Sequence, residues 1–336
     1  MKVAVALSGG VDSFVSALLL KQEGYEVTGI FMRVSDDEKP LEGSRFAASL
    51  LNIELHIVDL RESFRKLVIE PFVKSYLEGK TPNPCVICNE VIKFSLLKEE
   101  AKKLGATLFA TGHYVRKSPW EGKWVLSKGK DRNKDQSYFL WRISQKDLEE
   151  TLFPLGDKIK EEVKELAKSY GLIREESREV CFIEGDYRTF IEGFPFERKE
   201  GPIVDLNGKV LGWHKGVHLF TVGQRHGLGL KKERPFYVLK IEDNKVIVGP
   251  KEALYKRRLR AKEAKWILEE PPSTQFFCHG KIRYRHEGAP CKVLVREEEI
   301  FCEFIEPQMA ITPGQALVLY EDDRLLGGGW IEEVID

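Results

Sequence analysis

The chain has 336 residues, in which 53 Lys and Arg balance 53 Asp and Glu, and 42% of the residues are hydrophobic. This length predicts two or three domains, and the composition excludes a largely disordered, collagen-like or repeat protein. The longest apolar runs are far shorter than a membrane span, and the run after Lys2 is too short for a signal peptide. Six cysteines without a leader favour reduced thiols in a cytoplasmic protein over a disulfide framework.

Short apolar strands alternate with amphipathic helices in the first third of the chain, where KVAVAL, FVSALLLKQEG, EVTGIFM and ELHIVDL follow one another. This alternation predicts a parallel sheet with crossover helices. The pattern continues through a helix over 92–104, a strand from Thr107 and a helix over 158–169. We therefore predict one α/β domain over residues 1–192.

After Gly193 the pattern changes to short alternating segments punctuated by Gly, Pro and Asn, which are strand and hairpin signals. Two small β-rich domains are predicted, over 193–258 and 259–336. Small β-barrels often present nucleic acid to a catalytic domain, which is an analogy from fold.

The balanced total charge hides a segregation along the chain. The run from Lys251 to Trp266 carries seven basic and two acidic residues, whereas residues 301–336 hold one Arg and eight acids. Such a basic run can track a phosphate backbone, or it can be a solvated basic face. Both interpretations stay open.

The first strand-to-helix junction carries LSGGVDS, Leu7 to Ser13. Two glycines permit a tight turn, while Ser8, Ser13 and the free N–H groups of the helix can donate to phosphate oxygens. Asp12 suits an Mg²⁺ that accompanies a pyrophosphate. Glycines in such turns also serve purely conformational needs. The full string nevertheless resembles the PP-loop of ATP pyrophosphatases, which split ATP into AMP and pyrophosphate to adenylate a carbonyl oxygen.

Cys85 and Cys88 form a C-x-x-C motif in TPNPCVICN, before a helix predicted to begin near Glu90. A helix N-terminus lowers the pKa of a thiol and makes it a nucleophile at neutral pH. Half of a zinc site, a redox pair and a nucleophile with a neighbour are three open alternatives. Cys181 in EVCFIEG could complete a three-cysteine set on a metal or iron–sulfur cluster. The other cysteines lie in alternating β patterns and are predicted to be buried: Cys278, Cys291 and Cys302.

Nine segments together carry a family resemblance: SGGVDS, FMR, TPNPCVICN, TGHY, KDQSYFL, VCFIEG, TVGQRHGLG, KIRYR and TPGQALVLY. In order and approximate spacing they resemble the tRNA-specific 2-thiouridylases, the MnmA/TrmU family, over nearly the whole chain. The resemblance implies that ATP with Mg²⁺ adenylates the 2-oxygen of a wobble uridine in tRNA, and that a protein persulfide then supplies the sulfur.

The same resemblance implies roles for individual residues. Cys181 carries the persulfide, delivered by a sulfur-relay protein or a cysteine desulfurase, and Cys88 is the second catalytic thiol, the reaction ending in a Cys88–Cys181 disulfide. Some relatives have Asp in place of Cys85, so Cys88 is the stricter requirement. The residues implied for ATP are Ala6, Leu7, Ser8, Gly9, Gly10, Val11, Asp12, Ser13, Met32 and Gly112. Those implied for tRNA are Asn83, Pro84, Cys85, His113, Lys134, Asp135, Gln136, Arg283, Tyr284 and Gln315.

A monomer bound to one tRNA is the expected assembly.

Two rival functions differ in the residues that they need. Another PP-loop ATP pyrophosphatase, activating a non-tRNA substrate, needs no paired thiols. A non-catalytic RNA-binding protein needs neither the thiols nor an intact phosphate loop.

Overall fold

The computed structural model describes residues 1–173, 180–230 and 235–335. The strands are β1 (Lys2–Ala6), β2 (Glu26–Arg33), β3 (Leu55–Asp59), β4 (Leu108–Ala110), β5 (Val115–Trp120), β6 (Lys123–Lys128), β7 (Thr151–Leu152), β8 (Gly201–Val204), β9 (Val210–His214), β10 (Tyr237–Glu242), β11 (Lys245–Gly249), β12 (Tyr255–Trp266), β13 (Gln275–Lys281), β14 (Ala289–Arg296), β15 (Glu299–Met309), β16 (Ala316–Glu321) and β17 (Arg324–Val334). The helices are α1 (Val11–Gln22), α2 (Lys39–Leu51), α3 (Arg61–Phe64), α4 (Glu70–Leu77), α5 (Pro84–Ile87), α6 (Lys98–Lys103), α7 (Gln145–Glu149), α8 (Lys160–Ser169) and α9 (Tyr187–Glu192). Two π-helical segments, Arg65–Ile69 and Cys88–Leu97, join α3 to α4 and α5 to α6.

A parallel sheet forms the centre of the N-terminal part, in the order β3-β2-β1-β4-β7. Helices cover both of its faces. Val3 and Val5 of β1 pack with Phe14 of α1 on one face, whereas Ala4 packs with Phe109 on the other. Burial on both faces explains why these strands read as continuous apolar runs. The predicted α/β class is therefore confirmed.

Two further sheets make up the β-rich remainder, as predicted. The smaller has the order β10-β11-β8-β9, and the larger runs from β12 through β15, β14, β13 and β16 to β17, where β12 also pairs with β17 and closes it. The hairpin of β5 and β6 was not foreseen as part of this sheet. It leaves the α/β part and extends the larger sheet where Ser127 pairs with Arg324.

Acidic partners neutralise much of the basic run on β12. Arg260 contacts Glu333 at 2.9 Å, and Lys262 lies 3.4 Å from Glu332. Because β12 and β17 are antiparallel neighbours, the acidic C-terminal segment lies against the basic one. Arg257 is exposed and has no ion pair within the described ranges. The charge segregation is thus partly an intramolecular pairing, and only part of the run is free for a polyanion.

The described helices include none that is both long enough and apolar enough to cross a membrane. The three cysteines predicted to be buried are so, each less than a tenth exposed within the larger sheet: Cys278, Cys291 and Cys302.

Candidate active site

The loop after β1 forms a compact donor cluster. Gly10 precedes α1 in an extended conformation, so the first N–H groups of that helix face outward from its N-terminus. The hydroxyls of Ser8 and Ser13 lie 3.2 Å apart, and Ser13 Oγ donates to the Gly10 carbonyl at 3.0 Å. The Ser8 hydroxyl and a helix N-terminus are donors of the kind that phosphate oxygens require, while the Ser13 proton is engaged by the Gly10 carbonyl. The residues therefore fit an adenine nucleotide's phosphates.

Two glycines allow close backbone approach around this loop. Gly9 has φ +79°, and a Cβ there would lie 2.7 Å from both Gly43 C and Ser44 N at helix α2. At Gly112 a Cβ would lie 3.0 Å from Asp12 C. A side chain at either position would displace the loop, which is a physical reason for glycine at both.

The carboxyl edge of the parallel sheet brings the residues implied for ATP together. The loop follows β1, Met32 lies near the end of β2, and Gly112 follows β4. Since β2, β1 and β4 are parallel neighbours, their ends meet at one edge, where open α/β sheets bind ligands. Met32 is half-buried there.

Two partners of Asp12 escaped the sequence analysis. Tyr114 Oη donates to Asp12 Oδ1 at 2.7 Å, and Lys160 Nζ donates to the same oxygen at 2.6 Å. The Lys160 side chain is only 7% exposed. The carboxylate is an oxygen donor of the kind Mg²⁺ prefers, so it fits that ion, but a buried ammonium group holds it here. No local pattern signals a lysine 148 residues away.

Both cysteines of the C-x-x-C motif lie inside a helix, which begins at Pro84 rather than near Glu90. Cys85 is in its first turn, and Cys88 opens the π-helical segment. Burial raises the pKa of Cys85 to about 11 and that of Cys88 to about 12. The expected lowering of these pKa values was wrong, because burial, which disfavours the charged thiolate, is the largest influence on both groups.

Cys181 lies beside this pair. It is exposed, yet it is near enough to raise the pKa of Cys85 and of Cys88 electrostatically. Lys93, which the sequence analysis missed, lowers the pKa of all three thiols. The structure thus gathers the three cysteines around one cation. Within the ranges described, no group of three or more His, Cys, Asp or Glu side chains is placed to hold a metal ion.

We expect the alkylation of Cys88 by iodoacetamide to keep accelerating, about tenfold per pH unit, between about pH 7 and about pH 10. The reason is that burial raises its pKa to about 12, so the thiolate fraction still grows at the top of this range. Peptide mass spectrometry after timed quenching measures the rate. A plateau near pH 9, the ordinary value for a thiol, would contradict the buried environment.

His113 is enclosed and does not face solvent. It is 7% exposed, its Nδ1 lies 2.8 Å from Thr111 Oγ1, and its ring contacts Phe94 and Phe153. Burial, aided by the charge of Lys93, holds its pKa well below 6.5. The ring is therefore neutral at physiological pH, and it directly follows Gly112, which lies against Asp12 of the phosphate loop.

The KDQ segment, Lys134 to Gln136, is bonded to the backbone near His113. Asp135 is buried and accepts from the Gly129 N–H at 3.0 Å, and Gln136 Oε1 accepts from the Tyr114 N–H at 3.0 Å. Lys134 is half-buried at the start of the segment. Gln136 thus ties the segment to Tyr114 of TGHY, and Asp135 ties it to Gly129, in addition to the tRNA contacts that the resemblance implies.

The loop before Cys85 meets the C-terminal sheet. Gln315 Nε2 donates to the Thr81 carbonyl at 2.9 Å and to the Pro82 carbonyl at 3.3 Å. Asn83 is buried, and its side chain is near enough to the Tyr138 hydroxyl to lower the pKa of that group. Gln315, implied as a tRNA contact, therefore also fixes the loop that carries the thiols.

Tyr284 and Arg283 lie at the same junction. The Tyr284 ring stands 4.5 Å from that of Phe139, and Arg283 Nη1 donates to the Met309 carbonyl at 2.9 Å. These contacts place an aromatic face and a guanidinium group side by side, the pairing that unstacked RNA bases and phosphates favour.

Three models of known protein families match consecutive parts of the chain. A model described as the tRNA methyl transferase HUP domain matches residues 1–185, the tRNA methyl transferase PRC-barrel domain matches 188–250, and the aminomethyltransferase beta-barrel domain matches 256–331. The chain is thus a HUP-type protein with two barrel domains after its nucleotide-binding sheet.

Full-length relatives narrow this class. The chain is 47% identical to the tRNA-specific 2-thiouridylase MnmA of Syntrophotalea carbinolica, covering 98% of each chain. It is 46% identical to that of Syntrophomonas wolfei, covering 98% of this chain and 100% of the relative. It is 45% identical to that of Geotalea uraniireducens, covering 100% and 96%. The chain belongs to the tRNA-specific 2-thiouridylase MnmA family.

Proposed function

We propose that this protein is a tRNA-specific 2-thiouridylase, which uses ATP to activate the 2-oxygen of a wobble uridine and replaces it with sulfur from a cysteine persulfide. One observation supports the proposal, namely that TGHY and Lys93 relate the phosphate loop to the three thiols. Gly112 lies against Asp12, and His113 is the next residue in the chain. The charge of Lys93 lowers the pKa of His113 and of the cysteines. This neighbourhood supports a proposal in which activation and sulfur transfer occur close together.

The activation step is assigned to the loop between β1 and α1. Ser8 and the N–H groups of α1 bind the phosphates, and Ser13 joins them when its hydroxyl turns away from the Gly10 carbonyl. Met32 and Gly112 line the nucleotide at the same sheet edge. The uridine oxygen attacks the α-phosphorus, and pyrophosphate leaves. Mg²⁺, when bound, supplies charge neutralisation for the pyrophosphate, and Asp12 is the side chain that would hold it.

The transfer step is assigned to Cys181 and Cys88. The terminal sulfur of a Cys181 persulfide attacks the activated carbon, AMP departs with the former uridine oxygen, and a disulfide joins Cys181 to the base. The Cys88 thiolate then attacks the Cys181 sulfur, releasing the thiolated base and leaving a Cys88–Cys181 disulfide. Lys93 stabilises the negative sulfur in both exchanges.

In an alternative order, Cys88 first releases the persulfide sulfur as sulfide, which attacks the base. An external thiol reduces the disulfide, and a sulfur-relay protein or cysteine desulfurase restores the persulfide.

A test of the activation step uses AMP release. The protein with ATP, Mg²⁺ and unmodified tRNA is expected to release AMP and pyrophosphate, and a tRNA with cytidine at the wobble position should not support release. Equal release with a small carboxylic acid and no tRNA would contradict the proposal and favour another ATP pyrophosphatase.

Unpaired cations on β12 are assigned to tRNA phosphates. Replacing Arg257 with glutamine is expected to lower the slope of log affinity against log salt by about one unit, because one counterion-releasing contact is lost. Lys262→Gln is the matched control, since Glu332 already pairs with Lys262 and its slope change should be smaller. Equal slopes for both variants and the unmodified protein would show that β12 does not contact tRNA phosphates.

A further inference from the structure

The residue after Cys181 is seated in an aromatic pocket. The Phe182 ring lies 5.5 Å from Phe64, 5.4 Å from Phe72 and 5.4 Å from Phe190, measured between ring centroids. The pairs with Phe64 and Phe72 are edge-to-face, a favoured geometry between aromatic rings. Phe182 thus has partners on three sides, whereas its neighbour Cys181 is exposed.

The pocket is built from fixed elements. Phe64 is fully buried at the end of α3, and Phe72 is 4% exposed in α4. Phe190 lies in α9, just after the Cys181 segment. The pocket therefore joins the helices that cover the parallel sheet to the helix that follows the thiol.

A tight turn couples the ring to the thiol. The Ile183 N–H donates to the Val180 carbonyl at 3.2 Å, which closes a four-residue turn with Cys181 and Phe182 at its centre. Ile183 is buried, and Val180 packs against the same aromatic cluster. With both flanks and the centre of the turn anchored, little freedom is left to the exposed Cys181.

We propose that Phe182 is a positioning residue, whose ring in the Phe64–Phe72–Phe190 pocket holds the Cys181 turn so that its sulfur faces Cys88. This inference rests on the proposed function, since it concerns how the two thiols meet. Sulfur exchange needs the attacking and attacked sulfur atoms in contact and aligned, and a misplacement of about 1 Å can cost about 100-fold in rate.

The test compares Phe182→Ala, Phe182→Leu and the control Phe194→Ala, whose ring pairs with Phe190 at the edge of the same cluster. The first measurement is the rate of Cys88–Cys181 disulfide formation with diamide, which takes two electrons and two protons from the thiol pair. Peptide mass spectrometry identifies the bond. Phe182→Ala should slow it by about 10- to 100-fold, Phe182→Leu should recover part of the loss, and Phe194→Ala should stay within about twofold.

The second measurement separates positioning from general damage. With persulfide-loaded protein and tRNA, Phe182→Ala should slow single-turnover thiolation by a similar factor, while tRNA-dependent AMP formation and the KM for ATP change less than about twofold. An unchanged disulfide rate, or a parallel loss of AMP formation, would overturn the inference. If the unmodified protein forms no 2-thiouridine, the proposed function fails, but the disulfide comparison still decides the role of Phe182.

Discussion

Replacing Cys181 with serine is expected to abolish 2-thiouridine formation, a loss on the order of 1,000-fold or more, while tRNA binding and AMP formation persist. The serine hydroxyl cannot carry a transferable sulfur, but the phosphate loop between β1 and α1 is a separate segment of the chain and keeps its donors. Mass spectrometry of digested tRNA measures the thiolated nucleoside, and release of labelled AMP measures activation.

Cys88→Ser should give the same pattern, since the disulfide that completes transfer cannot form. Cys85→Ser is the matched control, because Cys85 lies one turn earlier on the same helix and also has a raised pKa. Its thiolation should fall by clearly less than that of Cys88→Ser. Full thiolation by the Cys181→Ser or Cys88→Ser variant would refute the assignment of both thiols.

Replacing Gly9 with alanine is expected to weaken ATP binding by about 10- to 100-fold. The added Cβ would lie 2.7 Å from backbone atoms of Gly43 and Ser44, at a φ of +79° that side chains disfavour by about 1–2 kcal/mol. Relief of the clash displaces the loop, and each 1.4 kcal/mol of lost interaction weakens binding about tenfold. Isothermal titration with ATP measures the change.

Gly24→Ala provides the control for backbone strain alone. Gly24 has φ +85°, but nothing lies within 4 Å of a Cβ built there. The variant should lose about 1–2 kcal/mol of stability and keep its affinity for ATP. If both variants bound ATP equally well, the close approach at Gly9 would not matter for the nucleotide.

Much of the fold and of the site could be predicted because its signals are local. The apolar runs of β1 and β2 and the SGGVDS string are each patterns of a few consecutive residues, so periodicity and motif identify them. The phosphate loop, Met32 and Gly112 then lie close together because β1, β2 and β4 are parallel and end at the same edge of the sheet.

Other features depend on contacts between distant residues, which no local pattern encodes. Lys160 holds Asp12 across 148 residues, and Gln315 reaches Thr81 across 234. The β5–β6 hairpin joins a sheet whose other strands lie more than a hundred residues later.

Burial is a second limit on sequence analysis. A helix N-terminus suggests an acidic thiol at Cys88, but the pKa is set mainly by how much protein surrounds the sulfur. His113 shows the same limit, since its motif indicates function, whereas only the packed structure shows a neutral, enclosed ring.

The most direct test is nucleoside analysis after incubation of the protein with unmodified tRNA, ATP, Mg²⁺ and a persulfide source. The account predicts 2-thiouridine at the wobble position, dependent on ATP and lost in Cys181→Ser and Cys88→Ser. Absence of 2-thiouridine, with AMP formed on another acceptor or with a methylated nucleoside instead, would contradict it.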